Sequence, residues 1–220
     1  IPDIVITDIM MRGIDGIELC SLLKQDQRTS HVPVIMLTAQ SSDATLVRAL
    51  EAKADHYLTK PFKTAELLLR IHNLLSLKNT IRMRYRSSAE VSDFTTLLVK
   101  NADDVFVQTL AALVEKNIAN PTITVEDLAK EMGMSRAVLY KKLKAVTGMA
   151  VNDFAKNIRI SHAAKLLLTG NYHVNEVTEM VGFSDRRYFS KEFKKVYQMN
   201  PSEYMAEHKG KGNSKVENEV

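Results

Sequence analysis

The sequence is short of several features that would quickly assign it to a class. Its 220 residues contain one cysteine, Cys20, which excludes an internal disulfide framework and fits a reducing cytoplasm. No apolar run approaches the roughly 18 residues of a membrane span, and no signal peptide is recognisable. We therefore expect a cytoplasmic chain, long enough for one large domain or two small ones.

The sequence also lacks the side-chain arrangements on which small-molecule enzymes depend. Apart from a few residues at predicted strand ends, described below, it has no carboxylate pair, metal-ligand cluster or nucleophile–base spacing. We therefore predict no catalytic residues and no small-molecule substrate. The chain opens in the middle of a pattern, on IPDIVITD and without a methionine, so we expect it to be a fragment.

What the sequence does contain is a duplication. The stretch SRAVLYKKLKAVTGMAVNDF, residues 135–154, returns fifty residues later as DRRYFSKEFKKVYQMNPSEY. In both copies apolar residues recur at i, i+4 and i+7, the spacing of the buried stripe of a helix. They are Leu139, Leu143 and Val146 in the first copy and Phe189, Phe193 and Val196 in the second.

A second stripe repeats about 180° away on each predicted helix. It consists of Ala137, Tyr140, Lys141 and Lys144 in the first copy and Arg187, Ser190, Lys191 and Lys194 in the second. Residues 135–147 carry four basic groups and no acid, whereas residues 1–78 carry nine groups of each sign. A basic face that coincides with a repeat is typical of phosphate contact, although solvated helix faces are the alternative reading.

A short amphipathic helix and a glycine precede each copy. TVEDLAKEMGMS with Gly133 leads into the first copy, and HVNEVTEMVGFS with Gly182 leads into the second. Glycine suits the residue past a helix end because φ is often positive there. Helix, glycine turn and helix form the helix-turn-helix unit, whose second helix enters the major groove. We predict two such units, at residues 124–147 and 173–197.

The two predicted units are joined by an apolar-striped segment, residues 151–168. As a helix this segment spans about 27 Å. That length could hold two reading helices close to one turn of the duplex apart, which is about 34 Å.

Strands alternate with helices in the N-terminal third. Predicted strands at residues 4–8, 32–39 and 55–58 are separated by amphipathic helices, a pattern typical of a parallel sheet with functional groups at the carboxyl ends of its strands. The polar residues at those ends are Asp8, Thr38 and Lys60. Asp8 could accept a phosphoryl group, with Thr38 hydrogen-bonding its oxygens and Lys60 balancing their charge. A divalent cation would be needed to neutralise the charge.

Residues 1 to about 78 resemble the receiver domain of bacterial response regulators. The resemblance is carried by D-I-M-M-x-G-x-D-G, by L-T-A and by Y-L-T-K-P-F. It implies that Asp8 is the phospho-acceptor, that Thr38 and Tyr57 are switch residues, and that Lys60 meets the phosphoryl group. It further implies a cis peptide at Lys60–Pro61 and a Mg²⁺ ligated by Asp8 and the Met10 carbonyl. Arg12 departs from the family's usual proline.

The resemblance also implies what is missing. A receiver begins with a strand, a helix and a second strand, and an acidic pair after the first strand holds the magnesium. Only strands three, four and five of the usual five have counterparts here, so we expect a truncated flavodoxin-like receiver. We expect it to bind Mg²⁺ weakly or not at all and to expose an apolar sheet edge.

Residues 104 to 208 resemble the AraC/XylS-type DNA-binding domain, an all-α fold with two helix-turn-helix units. The carrying motifs are the first unit and the run NEVTEMVGFSDRRYFSKEFKKVYQMNPSEY. The resemblance implies DNA contact by Arg136, Ala137, Tyr140, Lys141 and Lys144 in the first unit and by Arg186, Arg187, Ser190, Lys191 and Lys194 in the second. Lys144 and Lys194 resemble phosphate contacts. The small side chain of Ala137 puts base contact there in doubt.

The resulting domain plan has four parts. Residues 1–78 form the truncated receiver, residues 79–102 an interdomain linker, residues 103–209 the DNA-binding domain and residues 210–220 a disordered tail. A receiver joined directly to such a domain resembles the output end of hybrid two-component proteins.

These parts predict a sequence-specific transcription regulator controlled by aspartyl phosphorylation. Its partners would be double-stranded DNA, a histidine kinase, whether in the same full-length chain or not, and a second copy in an active homodimer. In a full-length hybrid sensor the chain would lie at the inner face of the membrane. The alternative is a constitutive or non-specific DNA-binding protein whose incomplete receiver serves only dimerisation or protein interaction.

Overall fold

The structure is a computed structural model that describes residues 1–39, 43–87 and 102–208. Three short strands, β1 (Val5–Asp8), β2 (Val34–Thr38) and β3 (His56–Thr59), form a parallel sheet in the order β1-β2-β3. The helices α1 (Gly16–Gln25), α2 (Asp43–Glu51) and α3 (Thr64–Ser87) follow the strands in turn. The predicted parallel α/β arrangement of three strands is confirmed.

The core of the sheet lies around its central strand. Val34, Ile35 and Met36 of β2 are fully buried, as a strand with both faces covered must be. Cys20 of α1 is also fully buried, and its thiol donates to the Ala52 carbonyl at 3.3 Å. Burial raises the pKa of this thiol, as is typical of a cysteine that packs in a core and does not react.

The strand β1 is an edge of the sheet among the described residues. It pairs with β2 alone, and Ile6 in its middle is 41% exposed. Leu68 and Leu69 on α3 are exposed as well. An exposed apolar edge is what the incomplete strand pattern predicts, because side chains of a complete sheet would be covered there.

Seven helices follow in the described C-terminal part. They are α4 (Ala102–Lys116), α5 (Val125–Glu131), α6 (Arg136–Thr147), α7 (Val151–Leu168), α8 (Val174–Met180), α9 (Arg186–Tyr197) and α10 (Pro201–His208). Both predicted helix-turn-helix pairs and the predicted connecting helix are present, with α7 at the predicted bounds. Thr124 and Asp127 form a capping box at the start of α5, and Asp185 caps α9.

The core of this part is built from α7, α8 and α9. Ile160, Val177, Phe189 and Phe193 are fully buried in one cluster. The ring of Phe193 lies 4.7 Å from that of Tyr197 and 5.4 Å from that of Tyr204, measured between centroids. The apolar stripe read from the second copy of the repeat is therefore the buried stripe of α9.

Two sequence expectations need correction. The predicted linker begins inside α3, which continues to Ser87, so residues 79–87 are helical. The apolar pattern of residues 103–118 predicts that Val105 faces a core, but Val105 is 42% exposed. The helix α10 was not predicted, although it occupies the repeat position of the start of α7. Residues 88–101 of the linker and the predicted tail at 210–220 lie outside the described residues.

The described residues divide into two compact units. The first holds residues 1–86 with 102–106 and 137–148, and the second holds residues 107–136 and 149–208. Within the described ranges, no helix combines the length and apolar character needed to cross a bilayer.

Candidate functional sites

The N-terminal site is built around Asp8, the last residue of β1. The Lys60 ammonium forms an ion pair with one carboxylate oxygen of Asp8, and the Met10 amide donates to the other at 3.2 Å. The hydrogen bond from Lys60 is the main reason that the pKa of Asp8 is lowered, and the Met10 amide adds to it. Asp8 is therefore held ionised, the form in which a carboxylate acts as a nucleophile.

The neighbouring strands place the other predicted residues at the same edge of the sheet. Thr38 ends β2 and is buried, and its carbonyl accepts from the Lys60 amide at 2.7 Å. The peptide bond Lys60–Pro61 is cis, as the resemblance implied. Tyr57 on β3 pairs in register with Met36 and is 42% exposed. Parallel pairing thus brings Asp8, Thr38 and Lys60 to one end of the sheet, because their strands end there.

An open cleft of about 500 Å³ lies beside this edge. Its lining includes Met10, Arg12 and Thr38, together with Asp15 and Arg48, which sequence reasoning did not assign to the site. Arg48 pairs with Asp15 at 3.5 Å, and Asp15 caps α1 by accepting from the Glu18 amide at 2.7 Å. The Asp-Gly pair at 15–16 was the available sequence signal, since an aspartate before an amphipathic run is a cap.

Two oxygen donors at this edge correspond to the predicted magnesium ligands. Among the described residues, no group of three or more His, Cys, Asp or Glu side chains is placed to hold a metal ion. Asp8 and the Met10 carbonyl offer oxygen donors of the kind that Mg²⁺ prefers, but Asp8 is already paired with Lys60. The chemistry of the donors fits Mg²⁺, and their number is small.

The first reading helix, α6, presents its predicted contact residues to solvent. Arg136, Ala137, Tyr140, Lys141 and Lys144 are all exposed. Arg136 is engaged by Glu126 at 2.7 Å, although both side chains remain largely accessible. This exposed face therefore combines basic groups with a hydrogen-bonding tyrosine, as the outer stripe of the repeat predicted.

Lys142 departs from this pattern, although its charge was counted with the basic stretch. It is fully buried, and its ammonium donates to the Gln27 carbonyl and to the Ser30 hydroxyl at 3.1 Å. It also pairs with Asp103 at 3.7 Å and lies 4.5 Å from the centre of the Phe106 ring. Burial lowers the pKa of Lys142 and raises that of Asp103. Lys142 is therefore excluded from the exposed basic face.

The second reading helix, α9, begins at a firm cap. The Asp185 carboxylate accepts from the Tyr188 amide at 2.6 Å, which orients the first turn. The predicted contact residues Arg186, Arg187, Lys191 and Lys194 are exposed, whereas Ser190 is half-buried. The outer stripe of the second copy is thus accessible along the length of the helix.

Glu192 is the repeat counterpart of Lys142 and is also buried. Its carboxylate pairs with Lys156 at 2.9 Å and with Lys195 at 2.5 Å. Burial would raise the pKa of Glu192, but the hydrogen bonds from Lys195 and Lys156 outweigh it, and the pKa is lowered. The two copies thus place opposite charges at the same buried position, a difference that the shared apolar stripe concealed.

Comparison with known proteins assigns the N-terminal and C-terminal parts of the chain to two different families. Residues 1–72 match the family model of the response regulator receiver domain, and residues 128–207 match that of the helix-turn-helix domain. Histidine kinase P4 of Formosa agariphila is 35% identical over 204 residues, which are 93% of this chain and 15% of that protein. The phosphate regulon transcriptional regulatory protein PhoB of Rhizobium meliloti is 45% identical over 75 residues, 34% of this chain and 33% of that protein. The chain thus spans well under two thirds of both relatives.

Other matches cover most of the relative. The transcriptional regulatory protein HptR of Staphylococcus aureus is 29% identical over 205 residues, 92% of this chain and 79% of that protein. The C-terminal domain of AraT, a response regulator from Geobacillus stearothermophilus, is 27% identical with a TM-score of 0.42, covering 46% of this chain and 83% of that one. The C-terminal domain of the two-component response regulator yesN from Fusobacterium nucleatum is 30% identical with a TM-score of 0.41, covering 44% and 95%.

The aspartate-bearing sheet and the paired helix-turn-helix units define the class of protein as a response regulator. Its N-terminal part belongs to the receiver domain family, and its C-terminal part is an AraC-type DNA-binding domain. This is the domain combination of a transcription regulator. The two families are those that the motifs around Asp8 and in the duplicated stretch predicted.

Proposed function

We propose that the chain is a sequence-specific DNA-binding transcription regulator whose occupancy of DNA is controlled by phosphorylation of Asp8. One observation carries the DNA-binding half of the proposal. Two duplicated helices, α6 and α9, bury the same apolar stripe and leave a basic, hydrogen-bonding stripe exposed. An exposed basic stripe on the second helix of a helix-turn-helix unit is suited to a major groove.

The exposed residues divide into two proposed roles. Lys144 and Lys194, late in their helices, would contact phosphate groups and contribute to affinity for any duplex. Arg186, Arg187 and Lys191 in α9, with Tyr140 and Lys141 in α6, would reach base edges. Arginine can bind guanine through two parallel hydrogen bonds. A lysine that contacts a phosphate needs only its single charged group.

Two substitutions in α9 separate these roles. We expect Arg187→Ala to weaken binding to a selected operator by about 1–3 kcal/mol and to relax specificity at one base pair. Lys194→Ala should weaken binding to all duplexes and reduce the salt dependence by about one phosphate contact. Lys165→Ala, exposed on α7 outside the proposed contacts, is the matched control. Equal losses from Arg187→Ala on operator and random duplexes would contradict base contact.

The receiver half of the proposal depends on the ionised state of Asp8. One oxygen of Asp8 would attack the phosphorus of a phosphohistidine donor, so that a P–O bond forms while the P–N bond breaks. Lys60, already beside the carboxylate, would then balance the phosphoryl charge, and the Thr38 hydroxyl would hydrogen-bond a phosphoryl oxygen. Repositioning of Thr38 and Tyr57 would alter the face around β3 and α3 and favour a homodimer.

Mg²⁺ would be held by Asp8 and the Met10 carbonyl and would supply charge neutralisation of the phosphoryl group. We propose that the described residues bind Mg²⁺ weakly, because they offer one carboxylate, and that carboxylate is shared with Lys60. Phosphorylation with acetyl phosphate, followed by mass spectrometry, tests the acceptor. Asp8→Asn should abolish the added mass, while Asp26→Asn, at the end of α1, should retain it. Labelling that persists in Asp8→Asn would overturn the assignment.

The partners follow from the same proposal. They are double-stranded DNA, a histidine kinase as phosphate donor and a second copy of the chain, with the cytoplasm as the location. The relative named Histidine kinase P4 supports, without establishing, an arrangement in which the kinase lies in the same full-length protein at the inner face of the membrane. Neither catalytic residues nor a small-molecule substrate forms part of the proposal.

The second candidate is a constitutive, non-specific DNA-binding protein whose receiver part serves only association. The exposed edge at β1, with Ile6 in its middle, favours it, because such an edge invites pairing. Equal affinities for selected and random duplexes at about 150 mM salt would support this candidate. A clear preference for a selected sequence, changed by substitution of Asp8, would support the first.

A further inference from the structure

Arg159 lies in the middle of α7 and carries a basic side chain that could have faced DNA. In the structure its guanidinium turns inward and donates two hydrogen bonds to backbone carbonyls. One nitrogen, Nη1, donates to Gly182 at 2.9 Å, and the other, Nη2, donates to Asn120 at 2.6 Å. Gly182 lies in the turn before α9, and Asn120 lies in the segment that leads into α5. One side chain thus joins the connecting helix to the turn before α9 and to the segment before α5, entirely within the second compact unit.

The turn at Gly182 and the backbone at Ile118 approach each other closely beside the Arg159 side chain. Gly182 has a φ of +73°, and a Cβ built there would lie 2.5 Å from the Ile118 carbonyl oxygen and 3.1 Å from Arg159 Nη1. A side chain at Gly182 would therefore push the turn away from residues 118–120. Glycine is required both for its left-handed backbone and for this close approach.

Hydrogen bonds to the Gly182 and Asn120 carbonyls hold the guanidinium of Arg159 in place. Its Nε is buried without a hydrogen-bond partner in the described part of the chain. Burial also lowers the pKa of Arg159. The planar fork of arginine holds two donors in fixed directions, whereas a lysine ammonium is a point charge on a flexible stem. A lysine at this position could reach one carbonyl but could not hold both in the same geometry.

The segment on the other side of the contact is itself ordered. The Asn120 side chain accepts from the Thr122 amide at 2.9 Å and from its hydroxyl at 2.8 Å. The capping box between Thr124 and Asp127 then starts α5. Movement of the Asn120 carbonyl would therefore be transmitted to the first turn of α5.

We propose that Arg159 is a positioning residue of DNA recognition, which fixes the turn before α9 to the segment that leads into α5 and so holds α9 in one orientation for base contact. The inference rests on the proposed sequence-specific DNA binding. Arg159 itself contacts no base or phosphate in this account, because hydrogen bonds from both terminal nitrogens hold its guanidinium at the Gly182 and Asn120 carbonyls. Its loss should therefore weaken sequence discrimination by α9 as a whole rather than at any one base.

The test compares Arg159→Lys with Lys165→Met, an exposed lysine on the same helix. An operator is selected with the wild-type chain from random duplexes, and the affinity for this operator is compared with the affinity for a random duplex. We expect the wild type and Lys165→Met to prefer the operator by the same ratio. Arg159→Lys should lose about tenfold or more of that ratio, because α9 is then no longer held in one orientation. An unchanged ratio in Arg159→Lys would overturn the inference.

Hydrogen exchange separates this inference from the proposed function. Amides of residues 118–124 and 182–185 should exchange about tenfold faster or more in Arg159→Lys than in Lys165→Met, with the core amides of α7 unchanged in both. Unchanged exchange of these amides would overturn the positioning role of Arg159, whatever the DNA-binding results are. If the wild type selects no operator, the proposed function fails, and the exchange comparison alone decides the inference. If Arg159→Lys exposes its α7 core amides, Arg159→Gln is used for the same comparison.

Discussion

Replacing Lys142 by methionine perturbs the most deeply buried charge of the molecule's first compact unit. The ammonium is fully buried and pairs with Asp103 at 3.7 Å, while donating to Ser30 and to the Gln27 carbonyl. Methionine has a similar length and keeps the apolar side-chain stem, whereas the contact between the ammonium and the Phe106 ring is lost. The substitution therefore removes the charge and its hydrogen bonds with little change in packing volume.

The expected cost comes mainly from Asp103, which loses the cation beside it. Removing one partner of a buried ion pair typically costs about 3–5 kcal/mol. Because the Asp103 side chain is 29% exposed, water replaces part of the lost interaction, and we expect about 2–3 kcal/mol at neutral pH. Burial already raises the pKa of Asp103, and loss of Lys142 raises it further. The folded state then binds a proton more readily than the unfolded state, so the cost should shrink as the pH falls.

The assay is urea denaturation at pH 7.5 and pH 5, with hydrogen exchange in α6 as a local probe. Lys141→Met, on the neighbouring exposed position of α6, is the control and should change stability by less than about 0.5 kcal/mol. Lys142→Met combined with Asp103→Leu should recover most of the loss, since replacing both members of a buried pair is often neutral. A cost equal to that of Lys141→Met, or one that does not fall at pH 5, would refute the reasoning.

Three further predictions concern stability. Phe193→Ala removes a fully buried ring packed on Tyr197 and Tyr204 and should cost about 3–5 kcal/mol in urea denaturation; a smaller loss than about 1 kcal/mol would contradict this packing. Burial and nearby cations lower the pKa of His31 to about 4. Between pH 6.5 and pH 4 the unfolded state therefore binds more protons than the folded state. Acidification across that window should reduce the free energy of unfolding by about 3 kcal/mol. His31→Gln should flatten that dependence, and an unchanged pH profile would count against it. Gly16→Ala places a Cβ 2.2 Å from the Asp8 carbonyl oxygen, so it should destabilise the chain by at least about 1–3 kcal/mol in thermal melts, and a neutral result would exclude that contact.

Periodicity and local chemistry were sufficient to predict the helices and strands and the exposed faces of α6 and α9. The apolar stripe at i, i+4 and i+7 is a property of the helix itself, so Leu139 and Phe189 could be assigned to the interior from spacing alone. The connecting helix at 151–168 was predicted at its observed bounds for the same reason. Short-range signals also account for the helix caps, because the Asp127 and Asp185 carboxylates accept from backbone amides within three residues.

The misreadings came from contacts between residues distant in sequence. Lys142 resembles Lys141 and Lys144 in type, and only its packing against Ser30 and Asp103 removes it from the exposed face. Residues 79–87 were read as linker because arginines alternate there with apolar residues, yet α3 continues through them. In that segment Arg82 donates to the Ala145 carbonyl at 2.8 Å, a contact that no local pattern announces.

The sequence by itself determined the two families and the duplicated helices, because each depends on spacing within about twenty residues. Only the tertiary structure decided which charges remain exposed and which are buried. Arg159 and Lys191 are both basic residues on helices with an apolar stripe, but Lys191 faces solvent while Arg159 joins Asn120 to Gly182. The physical reason is that burial of a charge depends on acceptors supplied by remote backbone, and chain topology alone brings those acceptors within reach.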